Sequence, residues 1–108
     1  MHLNEIRLRA EKPILLLEGD REWFLNGQGE PMLVSVHAKC LKAEELEKIL
    51  QHLCQYSLYA FEEEIRQGYI TIAGGHRVGM VGQVVVEHKG TVRTMKYIRG
   101  INIRIAHE

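Results

Sequence analysis

The sequence has little cysteine, few aromatic residues and no excess of charge of either sign. Among 108 residues there are 2 cysteines, and Lys+Arg and Asp+Glu both number 14, so the net charge is zero. A nucleic-acid-binding protein usually carries a basic excess, because contacts to phosphate supply much of its affinity. The overall charge therefore disfavours that class, although it leaves room for a local basic face.

Long hydrophobic runs are also missing. No apolar stretch approaches the roughly 20 residues that a membrane-spanning helix needs, and residues 3–9 are too polar for the core of a signal peptide. Two thiols, Cys40 and Cys54, in a chain without a signal peptide indicate a reducing compartment. The sequence thus predicts a cytosolic domain, or one that docks on a membrane-bound partner through its surface.

Clusters that could carry chemistry are equally scarce. The candidate metal ligands lack the spacing of a zinc finger or ribbon, so we predict no metal site; they are His37, Cys40, His52 and Cys54. The three consecutive glutamates at 62–64 would splay around a helix, which favours a solvated face over an acid/base set. The four tyrosines are too scattered for a base-stacking platform. We therefore predict no catalytic residue in this chain.

Residues before position 40 favour short strands. Residues 4–10 alternate strictly between polar and apolar types, which indicates a half-buried strand with Arg7 and Arg9 on its polar side. Further strands are predicted at 14–17 and 23–25, joined as a hairpin, and at 32–36. A composition typical of a loop separates the last two.

Two helices are predicted next. Apolar residues recur with helical spacing over 43–55, although Lys42 stands at the expected cap position and is a poor N-cap. A second helix is predicted over 58–67, with Ser57 as its N-cap and Gly68 as its left-handed stop.

After Gly68 the period changes from that of a helix to that of a strand. The pattern predicts a strand at 69–72 and a long strand at 77–87 that Gly79 and Gly82 interrupt. It also predicts a hairpin turn at 88–90, a strand at 91–98, a turn at Arg99–Gly100 and a strand at 101–105. Together these elements predict an α+β fold, a mostly antiparallel sheet of about five to seven strands with two helices packed on one face.

The turn between residues 74 and 79 has the G-x-x-x-x-G spacing of a P-loop without the rest of its chemistry. A P-loop continues with Lys and Ser or Thr into a helix, whereas an apolar strand follows here. Two interpretations remain. Gly74, Gly75 and Gly79 could form a plain hairpin turn, or the turn could present His76 and Arg77 to a phosphate bound by another domain, as an arginine finger does.

Other arginines lie on predicted strands. Arg7 and Arg9 share the polar side of the first strand, and Arg104 lies on the polar side of the last. Each is interpreted either as an ordinary solvated residue or as part of a cationic surface for a partner.

Several segments resemble the stage III sporulation protein AA family. The segments are residues 4–9, 70–72 and 101–106, Tyr-Ser-Leu-Tyr-Ala-Phe-Glu-Glu-Glu-Ile-Arg-Gln-Gly at 56–68, and Gly-Gly-His-Arg-Val-Gly at 74–79. The order of elements is also similar to the N-terminal domain of type II secretion and type IV pilus ATPases, in which a PAS-like sheet with helices precedes a RecA-like motor. Lys42, Ala73 and His107 depart from the residues typical of the family, which are Ser or Thr, Pro, and Arg.

The resemblance implies that residues 1–108 are a single N-terminal domain, that a RecA-like ATPase domain follows residue 108, and that family members carry more residues before the first strand. The domain would be non-catalytic, would support ring assembly, and would couple the motor to a secretion-like channel between mother cell and forespore. ATP and Mg²⁺ would bind the parent protein and no cofactor would bind this chain.

The same resemblance implies partners and site residues. The partners would be the chain's own ATPase domain, neighbouring subunits of a homo-oligomer expected to be a hexamer, and membrane channel proteins of the sporulation complex. The location would be the mother-cell cytoplasm, peripherally at the forespore membrane complex. Arg77 and Arg104 match arginines that reach the nucleotide in the related ATPases, and His76, Arg7 and Arg9 are further phosphate-reaching or interface candidates. The alternatives are a stand-alone nucleic-acid-binding module and a PAS-like small-molecule sensor.

Overall fold

Along the sequence, two helices separate an earlier set of strands from a later set. The computed structural model describes residues 2–55, 57–90 and 92–107, without the side chains of residues 92 and 93. In chain order the elements are β1 (Glu5–Arg9), β2 (Leu15–Glu18), β3 (Arg21–Leu25), β4 (Pro31–Met32), α1 (Ala43–Leu53), α2 (Leu58–Gln67), β5 (Tyr69–Thr71), β6 (Arg77–Val81), β7 (Val85–Lys89), β8 (Val92–Lys96) and β9 (Gly100–Arg104). Thr91, the predicted start of a strand, and Tyr56, the first residue of the longest family segment, lie outside the described residues.

Seven of these strands form one large sheet. Their order is β4-β3-β2-β1-β9-β6-β5, and every neighbouring pair is antiparallel. The remaining strands, β7 and β8, pair as a separate hairpin. The predicted α+β fold, a mostly antiparallel sheet with two helices, is confirmed. The PAS-like character of the sheet stays a prediction.

The register of the strands gives the large sheet an inner and an outer face. Cross-strand partners share a face, because side chains alternate between the two faces along each strand. On the inner face a row of apolar partners crosses six strands, and its members are Trp23, Leu16, Ile6, Ile103, Val78 and Ile70. Both helices pack on this face, so the core lies between it and them.

Each helix buries one apolar stripe in the core. Leu46 and Leu50 of α1 have no exposed surface, and Leu58 and Ile65 of α2 are 5% and 3% exposed. Burying a side chain of this size stabilises the folded state by about 1.5–3 kcal/mol. The helix propensities of residues other than proline differ by less, about 1 kcal/mol at most. The stripes therefore hold the helices in place.

The N-cap residues of both helices are the predicted ones, and neither caps its helix with its side chain. Lys42 offers no capping side chain to α1, but its backbone N–H donates to Oε1 of Glu45 at 3.1 Å, which is one half of a capping box. This hydrogen bond is the main reason that the pKa of Glu45 is lowered. Ser57 is the N-cap residue of α2, as predicted, but its φ and ψ of −114° and 73° leave its side chain without a capping hydrogen bond. Gly68 ends α2 in the left-handed region, with φ of 95°, as predicted.

The single long strand predicted over 77–87 is wrong, because the chain breaks at Gly82. Strand β6 remains in the large sheet, whereas β7 leaves it to pair with β8. Gly82 has φ of +109°, and a Cβ there would lie 2.5 Å from the carbonyl oxygen of Tyr97. The backbone of another segment therefore approaches closely at this glycine, and the chain turns out of the sheet there.

Two further predicted elements, the strand at 32–36 and the turn at Arg99–Gly100, are wrong because pairing with distant segments decides the structure there. Of the strand predicted over 32–36 only Met32 lies in a strand, at the end of β4, and Leu33, Val34 and Val36 are exposed. The chain must reverse here so that Ala38 can bridge to Asn26, at the end of β3.

The turn predicted at Arg99–Gly100 is replaced by the start of β9. Gly100 is buried and pairs with Arg9 and Val81. A Cβ at Gly100 would lie 2.8 Å from the carbonyl oxygen of Leu8. The glycine therefore allows close approach of β9 to β1 and is not a turn residue.

Gly82→Ala should lower the free energy of unfolding by roughly 1–3 kcal/mol, because alanine adds both backbone strain and a clash with the Tyr97 carbonyl. Gly27→Ala is the matched control, since a Cβ there meets nothing within 4 Å and its φ is outside the left-handed region. Urea denaturation of both variants measures the difference. Equal stability of the two variants would contradict the structural role given to Gly82.

Candidate functional site

The outer face of the large sheet gathers arginines from three strands that are distant in sequence. Arg7 and Arg9 belong to β1, Arg77 to β6 and Arg104 to β9. The pairing of β1 and β6 with β9 places all four on the side opposite the helices. Four of the five predicted phosphate-reaching or interface candidates therefore share one surface, and a protein of zero net charge has a local basic face.

A groove opens on the outer face where Gly79 leaves a gap. The groove has a volume of about 190 Å³ and is lined by Glu5, Arg77, Gly79, Asn102 and Arg104. A Cβ at Gly79 would meet no atom within 4 Å. The missing side chain thus makes room for the groove, and Gly79 is part of this surface in addition to its predicted place beside the turn. We call this space the arginine groove.

Two arginines stand directly opposite each other at the arginine groove. Arg77 and Arg104 are cross-strand partners between β6 and β9. Like charges in this position destabilise an antiparallel pair by up to about 1 kcal/mol. The guanidinium carbon of Arg77 lies 4.9 Å from the ring centre of Tyr69, and Nη2 of Arg104 lies 4.0 Å from Oε1 of Glu5. An anion between the two guanidinium groups would relieve the repulsion and accept hydrogen bonds from both.

The charge of Glu5 is balanced by Arg7. The Nε atom of Arg7 donates to the Glu5 carboxylate, whose side chain is only 14% exposed. Because Arg7 offsets the carboxylate, the positive charges of Arg77 and Arg104 dominate the groove. Glu5 therefore lies beside Arg104 without making the groove acidic.

Arg9 is held across the end of β9 by internal hydrogen bonds. Its Nη1 atom donates to Oδ1 of Asn102 at 2.7 Å and to the carbonyl oxygen of Leu8 at 2.9 Å. A Cβ at Gly100 would lie 2.8 Å from the Cδ of Arg9, so glycine makes room for the arginine stem. Arg9 thus positions Asn102 and borders the groove, which Arg77 and Arg104 line directly.

His76 contacts the segment that follows β9. Its Nδ1 accepts a hydrogen bond from the backbone N–H of Ala106 at 3.0 Å. The predicted turn is present, with φ of +94° at Gly74 and +80° at Gly75, and a Cβ at Gly74 would lie 2.8 Å from Nε2 of His76. His76 therefore connects the turn to the segment that follows β9. Arg77, the next residue, lines the groove.

Sequence reasoning missed four residues of this surface: Glu5, Tyr69, Gly100 and Asn102. Strand alternation is the signal that could have found Glu5 and Asn102, because it places them on the polar sides of β1 and β9. The contributions of Tyr69 and Gly100 depend on which strands are neighbours. That information is not local, so these two residues could not be found from a single sequence.

The described residues show few groups suited to other chemistry. Across residues 2–55, 57–90 and 92–107, three or more His, Cys, Asp or Glu side chains nowhere gather as a metal-binding group. Burial raises the pKa of the Cys54 thiol to about 11, with a smaller contribution from the charge of Glu64. A thiol protonated in this way is a poor nucleophile. Neither α1 nor α2 has the length and apolar character that crossing a membrane requires.

These features define an α+β domain with one helix-covered face and one open face that bears arginines. A family model described as "Sporulation stage III, protein AA" matches residues 1–108. The chain belongs to this family, and the predicted resemblance is confirmed.

One curated relative shows the extent of the match. The chain is 37% identical over 108 residues to Stage III sporulation protein AA of Bacillus subtilis (strain 168). The alignment covers 100% of the chain and 31% of the relative, so the chain spans about a third of the relative's length. No solved structure matches the chain.

In the native protein, a thiol reagent at pH 8 should modify Cys40 and leave Cys54 unmodified. Cys40 is exposed, whereas a thiol with a pKa of about 11 is ionised only to roughly one part in a thousand at that pH. Peptide mapping by mass spectrometry measures both sites, and denaturant should make both reactive. Equal modification of the two sites in the folded protein would contradict the packing described for Cys54.

Proposed function

We propose that this chain is the non-catalytic N-terminal domain of a sporulation ATPase. Membership of the sporulation stage III protein AA family supports the sporulation role. The relative extends far beyond the matched third, which leaves length for a motor domain. In this proposal ATP and Mg²⁺ bind the parent protein, and the domain supports ring assembly and couples the motor to a secretion-like channel between mother cell and forespore.

The observation that carries a phosphate-reaching role is the cross-strand pair of Arg77 and Arg104. Two like charges face each other beside a groove, on a face that the helices leave open. A guanidinium group presents a planar fork that matches phosphate oxygens. Arg77 lies over the Tyr69 ring, Arg104 lies beside Glu5, and Gly79 leaves the gap at this groove. The pair would complete a phosphate site whose other residues belong to a motor domain.

The proposed partners follow from the open outer face. A motor domain of the same subunit, or of a neighbour in a homo-oligomer such as a hexamer, could reach the arginine groove without displacing a helix. Channel proteins of the sporulation complex would then contact another surface of the ring. The domain would work in the mother-cell cytoplasm, peripherally at the forespore membrane complex.

A nucleic-acid-binding module is the second candidate, because four arginines share one face. Glu5 lies among these arginines, and Tyr69 already stacks under Arg77. Both features suit a single phosphate group better than a long backbone with stacked bases. Fluorescence polarisation with single-stranded DNA and RNA at low salt separates the two functions, and tight salt-dependent binding would favour this candidate.

A small-molecule sensor has weaker support. A pocket of about 390 Å³ lies between α2 and β7, within the size range of small-ligand sites. Charged and apolar side chains line it together, whereas sensor pockets are mostly apolar; its residues are Glu62, Ile65, Arg66, Val84, Val85, Val86 and His88. A hydrogen bond between His88 and Glu62 and an ion pair between Arg66 and Glu62 also lie at this space.

In the full-length protein, Arg77→Ala and Arg104→Ala should each lower the ATPase rate, and together they should lower it by tenfold or more, because a guanidinium at a phosphate typically contributes at least this much. Gly79→Leu should have a similar effect, since it fills the groove and leaves both arginines in place. A coupled-enzyme assay measures the rates. The isolated 108-residue chain should show no ATP hydrolysis.

Arg21→Ala is the matched control, because Arg21 is exposed and its register with Glu18 places it off the outer face. Circular dichroism should show that every variant is folded. Unchanged rates for all three groove variants would remove the phosphate-reaching role. ATP turnover by the purified isolated chain would refute the non-catalytic assignment.

A further inference from the structure

Four apolar side chains lie on the outer face, outside the core. Leu15, Phe24 and Met32 are successive cross-strand partners on β2, β3 and β4, and Leu17 follows Leu15 on the same face. All four are partly buried, and none belongs to the core cluster or to the residues packed against it. We call these four residues the apolar strip.

The apolar strip is continuous with the arginines. Leu15 is the cross-strand partner of Arg7, and Leu17 is the partner of Glu5, so apolar and charged side chains meet between β2 and β1. Cross-strand partners lie about 5 Å apart. The outer face thus carries an apolar half and a cationic half, which adjoin between β2 and β1.

We propose that this boundary binds an amphipathic helix of a protein partner, with an apolar stripe bordered on one side by Asp or Glu. A sheet that is apolar on both faces is normally covered on both, and helices are a common cover. The apolar stripe of the partner would pack on Leu15, Leu17 and Phe24. Its carboxylates would then face the strand that carries Arg7 and Arg9.

The charge of the outer face selects this partner over a second copy of the chain. A second copy offers the four arginines only its own Glu5 and Glu22 as carboxylates, so two outer faces docked on each other leave an excess of positive charge in the interface, which costs free energy. An acidic helix instead meets an excess of positive charge, since four arginines outnumber Glu5 and Glu22 on this face.

The shape of the apolar strip favours a packed helix over a lipid surface. Its side chains are partly buried among their sheet neighbours, whereas insertion into a bilayer interface requires apolar side chains that reach about 5–10 Å into it. The strip is therefore suited to packing against another layer of secondary structure.

The test uses a synthetic helical peptide of about 18 residues, or roughly 27 Å of helix, with a Leu stripe bordered by Glu. A second peptide carries Lys in place of every Glu. Fluorescence anisotropy measures the affinity of each for the 108-residue chain, and amide chemical shifts locate the contact. The acidic peptide should bind with shifts on β1, β2 and β3, and the Lys peptide should bind at least about tenfold more weakly.

Substitutions in the apolar strip and among the arginines test the two halves of the outer face separately. Phe24→Ser should weaken binding of the acidic peptide about tenfold. Arg7→Glu should weaken the acidic peptide and strengthen the Lys peptide, which a merely structural role would not do. Leu33→Ser and Arg21→Glu are the matched controls, since both residues are exposed and neither lies on the outer-face register. Both controls should leave the affinities unchanged.

Three outcomes would overturn the proposal. The first is no binding of the acidic peptide, and the second is equal affinity for both peptides. The third is binding to vesicles of anionic phospholipid that Phe24→Ser abolishes while the peptides do not bind. The result is independent of the proposed phosphate role, because Phe24→Ser leaves the arginine groove intact and Arg77→Ala leaves the apolar strip intact.

Discussion

The insertion of β9 between β1 and β6 is the pairing on which the rest of the structure depends. All five residues of β9 pair with β1 on one side and with β6 on the other. Without β9, the strands before the helices and the strands after them would be two small sheets with unpaired edges. Leu8 of β1 and Met80 of β6 would both lose their cross-strand partner Ile101, which is fully buried. The insertion therefore joins the two halves of the chain into one core.

The same insertion determines which side chains meet on the outer face. Arg77 and Arg104 are far apart in sequence and become partners only through the β6–β9 register. A slip of one residue would turn Arg104 of β9 toward the helices and Ile101 and Ile103 toward the open face. Because the apolar inner row makes such a slip costly, the burial of the core also fixes the spacing of the charged groups.

Local features of the fold could be predicted from the sequence, because their physical causes are local. The stripe that includes Leu46 and Leu50 marks α1, and the left-handed stop at Gly68 ends α2 as predicted. The break at Gly82 could not be predicted as the end of a strand, since its cause is the carbonyl group of Tyr97. Lys42 was a poor cap by residue type, yet Glu45 supplies a capping hydrogen bond from within the helix.

The arginines of the candidate site could be predicted from the sequence, but their arrangement in space could not. Strand alternation placed Arg7, Arg9 and Arg104 on polar sides, but it could not show that these sides coincide. The glycines of this surface have different structural roles. Gly79 leaves a groove and Gly100 admits an arginine stem, whereas the sequence predicts only an interrupted strand at Gly79 and a turn at Gly100.

The position of β9 also determines how the domain would respond to a mechanical load. A pull at residue 107 along the direction of β9 would act on its ladders to β1 and β6 together, because both run parallel to the force. Hydrogen bonds perpendicular to the strands would then share the load in shear, and they could not open one at a time. The bond from Ala106 to His76 would pass part of this load to the turn that precedes Arg77. The fold thus has the geometry of a stiff connector between the end of β9 and the arginine groove.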